Sequence, residues 1–147
     1  MGVEVCDRAF DPGSILSAFT QRVDCAGAIV TFTGITRDVA EGDLQAMEIE
    51  HYPGMTERAL ADIRTQAMDR FNLIDALIIH RHGCLSPGET IMMVATAAPH
   101  RRDAFEAADF LMDYLKSRAP FWKREITARG ADWVVAKDED EEALNRW

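Results

Sequence analysis

The residues best suited to chemistry fall in one run, from Pro99-His100-Arg101-Arg102 to Phe121-Trp122-Lys123-Arg124-Glu125. Lys116 and Lys123 are seven residues apart, a spacing that places two side chains on one face of an unbroken helix. Pro120 forbids such a helix, because it pushes Ala119 out of the α region. Lys116 is therefore expected to close a helix and Lys123 to sit on the following strand. With the chain turning back between them, both ammonium groups can face one pocket. Neighbouring Arg118 and Arg124 would lower a lysine pKa there, as would desolvation beside Phe121 and Trp122. A neutral lysine near pH 7 is a nucleophile or general base, and a charged one binds phosphate or carboxylate. The ordinary alternatives are a helix cap for Lys116 and a cover of apolar surface for Lys123.

At the other end of the same expected helix stand His100, Arg101 and Arg102. Positive charge there opposes the helix macrodipole, at a cost of about 0.3–1 kcal/mol for an exposed group. The same arrangement makes a strong anion site, since backbone N–H groups and cations then point at one ligand. The competing reading has both arginines in water, with Asp103 supplying the favourable charge. Arg37 follows Gly34 at a strand end and is either a functional side chain or a solvated loop arginine. His80 and His82 would share a strand face without a third ligand in view, and His51-Tyr52 is expected to pack before a helix start. Met47, Met55, Met68, Met92, Met93 and Met112 fit core positions. Glycine-rich phosphate loops and nucleophile-elbow motifs are absent from the sequence.

The elements that must position these residues can be read from periodicity. Val3 to Cys6 is a short strand, and Asp11-Pro12 starts a helix to about Arg22 with Ile15, Leu16 and Phe19 on one face. Ala28 to Thr33 alternates, with Ala28, Val30 and Phe32 on one side; Gly34 then leaves the strand for a polar loop reaching Gly42-Asp43. Gln45 to Tyr52 alternates again and Pro53-Gly54 breaks it. Thr56 to Phe71 carries a helical stripe of Leu60, Ile63, Ala67 and Phe71. Ile74 to His82 and Thr90 to Ala97 are strands forming a hairpin around the turn Ser86-Pro87-Gly88-Glu89. His100 to Arg118 is a helix that buries Ala104, Ala108, Leu111 and Leu115. Phe121 to Thr127 and Ala131 to Lys137 are the last strands, and an acidic tail from about residue 138 is expected to be solvated, as a short helix ending at Trp147. Strand pairs with short turns between helices predict an α+β fold with antiparallel or mixed sheets, in one domain spanning residues 1–147.

Composition narrows the function further. The 147 residues carry a formal charge of −9, which excludes a general nucleic-acid binder. The five acids at positions 138–142 supply more than half of that charge, whereas residues 100–124 hold six Lys/Arg against four Asp/Glu. Of sixteen basic residues only three are lysine, and two of these are Lys116 and Lys123. No apolar run approaches a membrane span, and the start MGVEVCDRAF carries no secretion signal. Three scattered cysteines, Cys6, Cys25 and Cys84, show neither disulfide nor zinc spacing, and a reducing cytoplasm is expected.

Five runs together resemble a known family. They are VTFTG-x-x-R at Val30 to Arg37, EHYPGMTE at Glu50 to Glu57, His100-Arg101, Phe105 to Ala107, and MDYLKSRAPFWKRE at Met112 to Glu125. From about Gly27 onwards the chain is similar to the large, catalytic subunits of molybdopterin synthase. The resemblance implies an α/β hammerhead with an additional antiparallel β subdomain. It implies a sulfurtransferase that converts cyclic pyranopterin monophosphate (precursor Z) into the dithiolene of molybdopterin, in molybdenum cofactor biosynthesis. The sulfur donor would be a small ubiquitin-like partner subunit whose C-terminal Gly-Gly ends in a thiocarboxylate. The assembly would be a homodimer within a heterotetramer. By position, Lys116 and Lys123 match the family's essential pocket lysines. Arg37, His100, Arg101, Arg124 and Glu125 match residues lining the pterin pocket. The loop Ile35-Thr36 would contribute through its backbone, Ile35 standing where relatives place a lysine. No cofactor is implied, the metal being inserted later by other proteins. Two other classes compete: a non-catalytic receptor for an extended protein C-terminal tail, and a small phosphate-ester hydrolase.

Overall fold

The computed structural model describes residues 2–39, 42–134 and 138–147, with the side chain of residue 138 left aside. Residues 40–41 of the expected polar loop and the end of the last expected strand, with Lys137, lie outside the described residues. The element order is β1 (Val3–Cys6), α1 (Pro12–Arg22), β2 (Ala28–Ile35), β3 (Leu44–His51), α2 (Met55–Arg70), β4 (Asp75–Arg81), β5 (Gly83–Leu85), β6 (Thr90–Ala98), α3 (Arg101–Ser117), β7 (Phe121–Thr127), β8 (Gly130–Trp133) and α4 (Asp138–Leu144). The fold is α+β, built on two four-stranded sheets.

The first sheet has the order β1-β4-β6-β2, with β1 parallel to β4 and the other pairs antiparallel. Its two faces are both covered, which is why β4 and β6 read as nearly continuous apolar runs. On one face Phe19 of α1 packs with Leu77, Ile79, Met93, Ala95 and Ala97. On the other, Leu60 and Ile63 of α2 and Ala104 and Leu111 of α3 pack against Ile78 and Val94. The helical stripes expected from the sequence are the buried ones: Leu60, Ile63, Ala67, Phe71, Ala104, Ala108, Leu111 and Leu115 are all at most 9% exposed.

The second sheet, β5-β3-β7-β8, is antiparallel throughout. Here the structure departs from the simple hairpin expected between β4 and β6. Those strands do pair antiparallel, but Gly83, at φ +97°, turns the chain away so that β5 joins the second sheet beside β3. Only a residue without a Cβ adopts that conformation without strain.

Gly34 is a second departure. It does not end its strand; β2 continues to Ile35 with a register shift between them. A Cβ at residue 34 would lie 3.2 Å from the Met92 side chain, so glycine permits a close approach to β6. The bulge then re-aims Ile35. Phe32, on the same face of β2 as Ala28 and Val30, is 42% exposed because this end of the strand opens onto a cavity. Met55 and Tyr52 are likewise exposed rather than packed, since they flank Gly54 at the solvent-facing start of α2.

Candidate functional site

The two lysines are delivered by different elements. Lys116 sits in the last turn of α3, where the helix's partial negative charge favours a cation. The helix ends at Ser117, with the Arg118 N–H donating to the Tyr114 carbonyl, and Pro120 turns the chain into β7. Along β7 successive side chains face opposite sides. Lys123 and Glu125 face inward, with Ile49 and Met47 of β3 as their register partners. Trp122 and Arg124 face outward.

Lys116 and Lys123 line one cavity of about 970 Å³, together with Arg37, Glu125, His80 and Ile35. Its remaining wall is largely apolar, with Met47, Met92, Met112 and Phe32. That volume is at the upper end of what small-molecule pockets offer. Burial pushes the Lys123 ammonium down from 10.5 to about 8, and the charge of Lys116 pushes the same way, while Asp140 opposes both. The direction and its leading cause, burial, match the sequence expectation, but the neighbouring cation is Lys116 rather than Arg118 or Arg124. Arg118 is drawn off to Glu141, and Arg124 to Glu48, so neither presses on Lys123.

His80 stands in the cavity wall, 2% exposed, with its ring stacked on Phe121 at 3.8 Å. Its Nδ1 lies 2.7 Å from the Arg81 carbonyl. A carbonyl only accepts, so Nδ1 carries the proton and Nε2 is left as an acceptor. Burial pushes this imidazole down to about 3, the Arg81 hydrogen bond opposes, and Lys123 pushes it further down. It is therefore neutral at pH 7. His51 and His82 lie nearby with rings 4.4 Å apart, and His51 receives or donates a hydrogen bond at Thr56 Oγ1, 3.1 Å away.

The other expected site residues are placed differently. Ile35 is 57% exposed at the cavity rim. Thr36 is buried, and its backbone is already used: its N–H donates to the Glu89 carbonyl at 2.8 Å and its carbonyl accepts from Gly88 N–H at 2.7 Å. Thr36 thus fixes the loop that carries Arg37 against the turn before β6, and its own backbone is not offered to a ligand. Arg124 lies on the outer face of the second sheet, paired with Glu48 and with its guanidinium 5.4 Å from the Trp133 ring. His100 occupies the N-cap position of α3 without a side-chain cap bond, and both it and Arg101 are exposed. Fifteen residues at a helical rise put Arg101 about 22 Å from Lys116 along the axis. One chain therefore brings Lys116, Lys123, Arg37, Glu125 and Ile35 together, and leaves His100 and Arg101 at the far end of the same helix. Arg102 pairs with Glu106 at 2.9 Å on its own helix.

Sequence reading missed His80, Phe32 and Met112 as cavity residues. Met112 precedes Lys116 by one helical turn, a spacing that shares a face. A histidine directly after the apolar run Ala76-Leu77-Ile78-Ile79 and within the same strand was the available signal for His80.

The model of the family described as "MoaE protein" matches residues 5–118. A molybdopterin synthase catalytic subunit of Cereibacter sphaeroides is 64% identical over the full length of both chains. The solved structure of a molybdopterin biosynthesis MoaE protein from Burkholderia ambifaria superposes with a TM-score of 0.84 at 45% identity, covering 99% of this chain and 96% of that one. A protein–protein complex of subunits 1 and 2 of the molybdopterin-converting factor from Helicobacter pylori contains a chain of the same fold, with a TM-score of 0.78 at 19% identity, 94% of this chain and 92% of that one being covered.

Proposed function

The chain belongs to the MoaE protein family, and from that premise we propose that it is the sulfur-accepting and sulfur-delivering site of a molybdopterin synthase. The substrate class is a pterin carrying a cyclic phosphate, precursor Z. The donor is the C-terminal thiocarboxylate of a small ubiquitin-like partner subunit, a reading supported by the two-subunit complex from Helicobacter pylori. The observation that carries the proposal is the convergence of Lys116 and Lys123, from a helix end and a strand, in one cavity with Arg37.

Both reactants are anions and must meet in one water-poor site, which requires fixed cations. Each sulfur transfer forms a carbon–sulfur bond on the pterin and breaks the carbon–sulfur bond of the donor. Water supplies the oxygen that replaces sulfur, so the donor leaves as a carboxylate. Lys116 holds the thiocarboxylate end and polarises its carbonyl. Lys123, titrating near 8, is poised to give a proton to the departing pterin oxygen near neutral pH. Arg37 binds phosphate, and His100 and Arg101 complete that subsite from a second copy of the chain. A twofold axis that sets two α3 helices antiparallel exchanges their ends, which a single chain cannot do across about 22 Å. The three cysteines are unpaired thiols, in keeping with a reducing cytoplasm. Among the described residues no helix is long and apolar enough to cross a membrane.

The test is product formation. The chain, thiocarboxylated partner and precursor Z together are expected to yield the dithiolene, detected as its stable oxidised pterin derivative. Lys116→Ala, with fold and partner binding retained, is expected to lower the rate by about 10²–10⁴-fold. Near-normal turnover in that variant defeats the catalytic role, and tail binding without product leaves a receptor.

A further inference from the structure

The polar side chains of the cavity divide by what they can do in a hydrogen bond. Lys116, Lys123 and Arg37 are cations that only donate, and Glu125 is a carboxylate that accepts. His80 is the neutral member of the set, and its ring is held from several sides. β4 is paired on both edges here, with Val5 of β1 and Met92 of β6 as the register partners of His80. The ring stacks on Phe121 of β7 with only 17° between the planes, and Nδ1 donates to the Arg81 carbonyl at 2.7 Å. Arg81 is itself buried; its guanidinium donates to the Thr90 carbonyl at 3.3 Å and lies 3.6 Å from Glu89. The Glu89 carbonyl in turn accepts from the Thr36 N–H, so the anchor of His80 and the loop carrying Arg37 share one frame.

The Arg81 carbonyl is the one hydrogen-bond partner of the ring among the described residues, and Nε2 is left without one. Yet Nε2 is not sealed in. The buried side-chain nitrogens and oxygens without a partner are Thr36 Oγ1, Arg81 Nε, Ser117 Oγ and Arg124 Nε, and Nε2 of His80 is not one of them. It therefore meets accessible space, and the space that His80 lines is the lysine cavity. Burial and the cations nearby keep the ring neutral, so Nε2 is an acceptor and cannot donate. A phosphate and a thiocarboxylate offer only acceptor atoms near neutral pH, so neither is what this nitrogen reads. We propose that His80 is a binding residue of the pocket whose Nε2 accepts a hydrogen bond from an N–H of the pterin ring system. This rests on the pterin substrate proposed above and deepens it. A Gly-Gly tail also has N–H groups, but it has no side chain to cover Met47, Ile91 and Met92, which line the same cavity. A flat heterocycle covers that wall with its face and presents its N–H groups at its edge. An acceptor fixed in this way favours a ligand edge that carries hydrogen and penalises one that carries a lone pair, since a buried polar group left unpaired is costly.

The chain has four histidines, so their ring nitrogens can be followed individually by NMR in protein labelled with ¹⁵N-histidine. Replacing each of the other three in turn assigns the His80 ring by elimination. In the free chain Nδ1 is expected to carry the proton and Nε2 to be bare. A ring with its proton on Nε2, or charged at pH 7, overturns the inference before any ligand is added. Precursor Z, added without the sulfur-donating partner so that nothing turns over, is expected to move the Nε2 resonance towards the protonated range and to leave Nδ1 in place. His80→Phe, which keeps a flat ring beside Phe121, is expected to raise the Kd for precursor Z by about 5–100-fold. His80→Gln, whose amide oxygen can accept in place of Nε2, is expected to recover part of that loss. Binding of precursor Z with Nε2 unmoved, or with an unchanged Kd in a folded His80→Phe, overturns this inference and leaves the sulfur-transfer reading standing. A shift of Nε2 by the partner's Gly-Gly tail and not by precursor Z overturns it in favour of the tail. No binding of precursor Z to the unmodified chain overturns both readings.

Discussion

The two ends of α3 hold cations under opposite rules. At the C-terminal end Lys116 obeys the helix dipole, and it shares a cavity with Lys123. At the N-terminal end Arg101 opposes the dipole and stands in water beside the exposed His100, with Asp103 the acid in the first turn. The difference separates two kinds of evidence for an anion site. A charge that agrees with local helix physics says nothing until a cavity is found around it. A charge that disagrees with it is informative by itself, because its small cost has no return inside the chain. Both ends are explained if the exposed cations of one copy serve the cavity of another.

Mixed dimers test this pairing most severely. Lys116→Ala and Arg101→Ala homodimers are each expected to be impaired, the first by about 10²–10⁴-fold. Co-assembled one to one, they place an intact Lys116 and an intact Arg101 in one of the two pockets. Turnover in such heterodimers is expected to return to half the unmodified value. No recovery places both residues in the same protomer's pocket and dissolves the comparison. Next in size, Arg101→Ala alone is expected to raise KM for precursor Z by about 10–100-fold, the worth of a hydrogen bond to a charged group, with a smaller change in kcat. An unchanged KM removes Arg101 from the phosphate subsite.

The pocket end should also cost stability, through burial rather than through the small dipole cost of the exposed end. The folded-state pKa of Lys123 lies below its ordinary value, so the folded chain binds fewer protons than the unfolded one between about 8 and 10.5. Stability on this account rises with pH through that window, and the penalty is full below it. Lys123→Met is expected to stabilise the protein by about 1 kcal/mol at pH 7 in denaturant titrations, the gain fading towards pH 10.5. A destabilised variant contradicts the buried-cation reading. The smallest effect belongs to Arg102, whose partner is Glu106 on an exposed face. Arg102→Ala is expected to change stability by less than about 0.5 kcal/mol and to leave KM unmoved.

Much of this was legible because local chemistry and fold agree. The stripe Leu60, Ile63, Ala67 and the stop at Pro120 gave the helices, and Pro120 alone placed Lys116 and Lys123 on different elements. The alternation along β7 already separates Lys123 from Arg124, yet the resemblance grouped both with the pocket; the structure sends Arg124 to Glu48. What could not be read was long-range. The diversion of β5 depends on which sheet has a free edge, not on Gly83 alone. Gly34 reads as a breaker until Met92 is seen behind it. His80 looks like a core residue because it is one, and only the third dimension shows that the core ends there in a cavity.

The centre of the second sheet pairs β3 with β7, and Glu48 meets Arg124 across 76 residues of chain. Such a pairing forfeits much chain entropy before any contact rewards it, and topologies dominated by distant pairings fold in milliseconds to seconds. On a ribosome adding roughly 5–20 residues per second, the first sheet can be complete while β7 is still being made. Lys123 then takes its place only as the strand closes on β3. The strands of the first sheet are thus all made before Lys123 gains its strand partner, and an intermediate lacking only that last pairing has one of the two cavity lysines, Lys116, without the other.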